Sequence, residues 1–211
     1  MAATPTTKRT VGILIFDGVE VLDLCGPFEV FATTAPPADN GTRWEDRLFD
    51  AITIAQTAGI VVCTGGLLVQ PNATIDDHPP LDILVVRGGR GTRREQTNPV
   101  LLDWIAGQNQ RVELMTSVCT GAFLLAARGI LDGGRATTHW ASIDRLREVA
   151  PAVTVLDDLR VVDEGRIVTS AGVSVGIDMA LHVVARLHGP QVAIATARNI
   201  EYLGASQPTD S

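Results

Sequence analysis

The stretch VELMTSVCTGAFLLAARG, residues 112–129, sets one cysteine, Cys119, between two apolar runs. The first run closes at Val118 and reads as a buried strand; the second closes at Arg128-Gly129 and reads as a buried helix. A thiol at that seam has two physical meanings. Free cysteine is a small hydrophobe, and packing alone accounts for it. Otherwise it is a nucleophile. The unpaired N–H groups of the following helix and the positive end of its dipole then favour the thiolate. Such sites draw a cysteine pKa toward or below neutrality. Thr120 and Gly121 leave room for a small substrate, and their amides suit developing negative charge. The expected geometry is a nucleophile elbow, a sharp strand-to-helix turn. Spacing alone leaves both meanings open.

A second strand end, VVRGGRGTR (85–93), brings Gly88 and Gly89, either an oxyanion hole or a tight turn. It is not a phosphate loop, because G-x-x-x-x-G-K-[ST] is absent. Arg90, Arg93 and Arg94 read as a solvated edge. In FDGVEVLDLCGP (16–27), Asp23 lies between two leucines, just before an expected helix start. It is a helix cap or buried acceptor, or a proton donor and acceptor beside Cys119. His139 either activates a thiol or donates to backbone. Cys25 and Cys63 read as inert. His78, His182 and His188 show no ligand spacing, so no metal is expected.

The elements that must position these groups alternate. Strands are expected at 11–16, 49–56, 81–89 and 112–118, with a hairpin or excursion at 60–75 broken by Gly65-Gly66. Short strands follow over 152–170, turning at Glu164-Gly165. Helices are expected at 26–34 with Pro27 in the first turn, at 98–110 capped by Asn98, and from about Thr120 to Arg128 closed by Gly129. Further helices are expected at 141–150, 175–189 and 190–203, with a loop over 36–42. Buried strands alternating with helices predict an α/β fold with a largely parallel central sheet. In such sheets chemistry collects at the carboxyl ends of the strands. That is where Cys119 falls.

Composition narrows the partners. The 211 residues carry 17 basic and 24 acidic side chains, a net charge of −7, which argues against a nucleic-acid surface. Three separated cysteines make no disulfide framework and suit a reducing cytoplasm. The polar start MAATPTTKRT lacks the apolar core expected of a signal peptide, and no apolar run is long enough to predict a membrane span.

With these residues in hand, the chain resembles the ThiJ/PfpI superfamily, and within it the isonitrile (isocyanide) hydratases. LDLCGPFEVF, GGRGTR, TSVCTGAFLLAARGILDGGRATTHW and TSAGVSVGIDMALHVV carry the resemblance. It covers about residues 10–203 as one domain, leaving tails at 1–9 and 204–211. It implies a flavodoxin-like sandwich of the class I glutamine-amidotransferase type, commonly a homodimer, with apolar residues of LCGPFEVF in the contact. It implies Cys119 as nucleophile, Asp23 as catalytic acid, and Gly88, Gly89 and Thr120 around the substrate, with oxyanion amides from Gly89 and Thr120. The implied reaction adds water to an isocyanide through a cysteine thioimidate, giving an N-substituted formamide without cofactor or metal. Glyoxalase-like, peptidase or amidase chemistry and a non-enzymatic ligand or redox sensor are the alternatives. Two residues depart from the family pattern: Arg87 where proline is usual, and Cys25 where threonine is commoner.

Overall fold

A computed structural model describes residues 8–37 and 44–202. The expected tails therefore lie almost wholly outside the described residues, as does most of the loop expected at 36–42. Seven strands form the central sheet: β1 (Arg9–Leu14), β2 (Phe49–Ala55), β5 (Ala73–Thr74), β6 (Ile83–Val86), β7 (Leu114–Val118), β10 (Val161–Asp163) and β11 (Ile167–Ser170). Their order is β10-β11-β7-β6-β1-β2-β5, and every pairing is parallel except β10 with β11. Strands β3 (Val61–Val62) and β4 (Leu68–Val69) make the expected hairpin, while β8 (Arg135–Ala136) pairs with β9 (Thr154–Val155). The strands are apolar runs because helices cover both faces of a parallel sheet. All four residues of β6 and all five of β7 are buried.

The helices are α1 (Val21–Thr33), α2 (Thr92–Glu95), α3 (Pro99–Asn109), α4 (Ala122–Ala126), α5 (Ile143–Val149), α6 (Val175–His188) and α7 (Pro190–Asn199). Helices α1, α6 and α7 pack on one another, and α4 packs against α3, β6 and β7. This is the flavodoxin-like sandwich. From β1 the chain crosses to β2 on one side, and β6 then returns to the other side. The ends of β1 and β6 therefore flank the switch point where ligand crevices form in open α/β sheets.

Local signals govern several boundaries. Asn98 caps α3, its Oδ1 accepting from the Leu101 N–H at 3.4 Å. Gly129, at φ 64°, closes the turn after α4. The Ile130 N–H reaches the Leu125 carbonyl and the Gly129 N–H the Ala126 carbonyl, the pair of bonds of a Schellman cap. Two expectations need correction. The helix expected from residue 26 starts at Val21, so Pro27 lies inside it. Glu20 adopts the extended capping conformation, and Pro27 is buried against Gly176 of α6. That packing outweighs the local cost of a mid-helix proline. The helix expected to start near Thr120 opens instead as a 3-10 turn, Cys119–Gly121, and its regular part spans five residues.

Candidate active site

Cys119 follows β7 directly, is 6% exposed, and holds φ at 58°. That left-handed backbone is unfavourable for a residue with a Cβ, and such strain gathers at functional sites. Two bonds lock it: the Cys119 N–H donates to the Ala171 carbonyl at 3.2 Å, and Thr138 Oγ1 donates to the Cys119 carbonyl at 2.7 Å. The elbow can come this close to the end of β6 only because Gly88 lacks a side chain. A Cβ there would stand 2.5 Å from Thr120 N and 2.9 Å from Cys119 Cβ.

Asp23 lies in the first turn of α1, fully buried. Its Oδ2 accepts from the Gly88 N–H at 3.2 Å and its Oδ1 from the Val173 N–H at 2.9 Å. Burial pushes its pKa up to about 6, although the two N–H groups and the charge of Arg87 pull the other way. The Cys119 thiol is pushed up to about 12, first by burial and then by the charge of Asp23. The Thr120 N–H and hydroxyl oppose the rise, whereas the side-chain hydrogen bond with Asp23 adds to it. A thiol depressed by a helix N-terminus is therefore not what the fold provides. Desolvation and the neighbouring carboxylate outweigh the N–H and hydroxyl of Thr120. What the fold provides is a buried thiol whose pKa is raised by that burial and by the charge of the Asp23 carboxyl.

The other expected groups surround this pair. The Gly88 N–H is taken by Asp23, and the Gly89 N–H donates to Thr120 Oγ1 at 3.1 Å. Thr92 Oγ1 meets the same hydroxyl at 3.0 Å. Arg87 neither lines the cleft nor meets solvent. It is wholly buried, with Nε and Nη2 donating to the Leu14 carbonyl and Nη1 unpartnered. Burial lowers its pKa to about 9, against the opposing charge of Asp23. His139 accepts rather than donates, its Nδ1 taking the Ala141 N–H at 3.2 Å. Its ring edge faces Gly172, where a Cβ would lie 2.4 Å from His139 Cδ2 and 3.0 Å from Cys119 Sγ. Cys25 is exposed on α1, and Cys63, which follows β3 directly, is buried. Among the described residues, no three His, Cys, Asp or Glu side chains gather as a metal site.

A cleft of about 550 Å³ opens over Cys119, lined by Glu20, Gly89, Arg90, Thr92, Arg93, Gln96, Thr120, His139, Ser142, Arg145 and Val173. Sequence reading missed Val173, whose N–H fixes Asp23 and whose φ is 58°. Only the small residue before it, Gly172, hinted at close approach. Arg90 and Arg93, expected at a solvated edge, are exposed there and also line this cleft.

Comparison with known proteins agrees with this architecture. The sequence profile of the DJ-1/PfpI family matches residues 9–186. Isonitrile hydratase from Pseudomonas putida is 37% identical over 201 residues, 95% of this chain and 81% of that protein. The HTH-type transcriptional regulator CdhR from Pseudomonas aeruginosa is 31% identical over 178 residues, 84% of this chain. This chain spans about half of that regulator, 52%. Among solved structures, a ThiJ/PfpI family protein from Pseudomonas syringae superposes with a TM-score of 0.81 at 28% identity, covering 97% of this chain and 78% of that one. DJ-1beta from Drosophila melanogaster shares the fold, with a TM-score of 0.76 at 17% identity over 92% of this chain and 98% of its own. A profile that runs from β1 into α6, and so spans both strand ends flanking the crevice, decides the kinship: the chain belongs to the DJ-1/PfpI family.

Proposed function

We propose that this chain is a cysteine-dependent isonitrile hydratase-like lyase. The buried Asp23–Cys119 pair carries the proposal. A carboxyl with a pKa of about 6 is charged at neutral pH and close enough to neutrality to return a proton. A thiol near 12 needs such a partner before it can attack. Asp23 takes the Cys119 proton as sulfur bonds to the terminal carbon of R–N≡C. It hands that proton to the same carbon, giving the thioimidate R–N=CH–S. Water then adds to this carbon: Asp23 removes one of its protons and passes it to nitrogen, giving R–NH–CH(OH)–S. The C–S bond breaks as the hydroxyl proton moves through Asp23 to sulfur, and R–NH–CHO leaves. The Thr120 N–H steadies the charge that grows on sulfur, while Gly88 and Val173 keep the carboxyl aimed at it.

The 37% identity to an isonitrile hydratase supports the substrate class. A redox-sensor role is less well supported, since oxidation of cysteine follows its thiolate character and burial here opposes the thiolate. The deciding assay is formamide production from a simple aryl isocyanide. Turnover is expected with the intact protein and none above background with Cys119→Ala. Equal rates in the two proteins would remove the thiol from the mechanism.

The protein acts, on this reading, as a homodimer of α/β protomers. Most apolar side chains of LCGPFEVF are buried within the protomer, which leaves Cys25 and half-buried Phe28 of that stretch to face a partner. The better candidate is the exposed group Leu22, Val62, Leu67 and Leu68 on α1 and the β3–β4 hairpin. The hairpin is tied to the β1–α1 loop through the Val62 N–H to Asp17 Oδ1 and the Thr64 N–H to the Val19 carbonyl.

A further inference from the structure

We infer that the cleft over Cys119 selects a substrate carrying an anionic oxygen group, an isocyano-carboxylate being the simplest. The inference deepens the hydratase reading and is tested partly apart from it. Three guanidinium groups reach the cleft from three elements: Arg90 from the turn after β6, Arg93 from α2 and Arg145 from α5. Glu20 is the single carboxylate among its lining residues. A chain of net charge −7 has thus set a cationic rim around its thiol.

Solvated arginines of this protein commonly meet a carboxylate. Arg128 pairs with Asp103, Arg147 with Asp144 and Asp157, and Arg186 with Asp163. Among the described residues, neither Arg90 nor Arg93 has a hydrogen-bond or ion-pair partner, and both are exposed. Arg145 is held in place, with Nη2 on Gln96 Oε1 at 3.0 Å and its guanidinium 5.0 Å from the Phe123 ring. Guanidinium forks match carboxylate geometry, and a cleft lined by one sign of charge raises the local concentration of the opposite sign.

The first test uses reagents of one shape and two charges. Iodoacetate and iodoacetamide each alkylate a thiol: sulfur bonds to carbon, iodide leaves, and the thiol proton is released. Their rate ratio at Cys119 is read by peptide mass and divided by the ratio for 2-mercaptoethanol, which cancels thiolate fraction and intrinsic reactivity. In the wild type at low ionic strength this normalised ratio is expected to exceed one by roughly 5-fold, falling toward one in 0.5 M NaCl, at about which the screening length drops to a few ångströms. Arg90→Gln/Arg93→Gln is expected to lose most of the preference, with the salt response of the wild type needing no variant. A wild-type ratio at or below one that ignores salt, or one unchanged in the double variant, overturns the inference. A second arm compares kcat/KM for isocyanoacetate and its methyl ester, the acid being favoured in the wild type alone. If neither isocyanide turns over while the alkylation preference holds, the hydratase reading falls and the anion site stands. If the ester is favoured and the alkylation preference is missing, the hydratase reading stands and the anion site falls.

Discussion

Asp23 is a carboxylate held by two backbone N–H groups, an arrangement that ordinarily keeps an acid strong, yet its pKa rises to about 6. Burial wins because the side chain has no access to water. The full positive charge that opposes the rise is the guanidinium of Arg87, itself buried. This gives the residue that departs from the family pattern a definite effect. In the proposed mechanism the ionised carboxylate starts the reaction, so kcat/KM should climb as pH rises through about 6. Arg87→Met removes a charge that favours the ionised form. The pKa of Asp23 then rises, and the acid limb is expected to move up by ~1 pH unit, as loss of a nearby opposite charge typically does. A pH profile of the variant that coincides with the wild type would show that Arg87 serves the Leu14 carbonyl alone. Little of this was legible beforehand. Asp23 and Cys119 stand out by their apolar neighbours, but burial of Arg87 and the direction of the thiol shift are properties of the packed molecule.

The elbow and the turn after β6 work as one device. Strands β6 and β7 are adjacent and parallel, so their carboxyl ends deliver Gly88 and Cys119 side by side. Gly88→Ala would force the two turns apart, because the added carbon meets backbone at 2.5 Å. Overpacking of this kind costs about 1–3 kcal/mol. Urea denaturation should show that loss, and formamide production by the folded variant should fall further, since Asp23 loses the alignment of its Gly88 N–H bond. Full activity in a stable Gly88→Ala protein would refute the device. At this scale the sequence was informative where a signal is local. Apolar runs marked β6 and β7, a glycine marked the closure at Gly129, and Asn98-Pro99 marked the start of α3. It misled where packing decides: Pro27 suggests a helix start, yet its contact with Gly176 lets it sit inside α1. Val173 was invisible because a β-branched residue at φ 58° is disfavoured locally and is sustained only by its bond to Asp23 and the surrounding fold.

Across the whole molecule, alternation of strands and helices was enough to predict a parallel α/β sheet, whereas the cleft was not, because its rim draws on α2, α5 and the turn after β6 together. The same scale sets the association prediction. Leu68 is 62% exposed on a hairpin outside the central sheet, so a charge there should leave the protomer folded. Sedimentation is expected to show a dimer for the wild type and a monomer for Leu68→Asp, with unchanged circular dichroism. A dimeric variant would move the interface elsewhere. Finally, the bond from the Val173 N–H to Asp23 joins residues 150 apart in the chain. At ordinary ribosomal rates of about 5–20 residues per second, roughly eight to thirty seconds separate their synthesis. During that interval Cys119 emerges before the segment that will bury it, and its thiol has the reactivity of any cysteine in an open chain. Completion of the fold buries the sulfur and brings the charge of Asp23 to bear on it in the same event, so the thiol is most open to chance electrophiles just before the last segment closes.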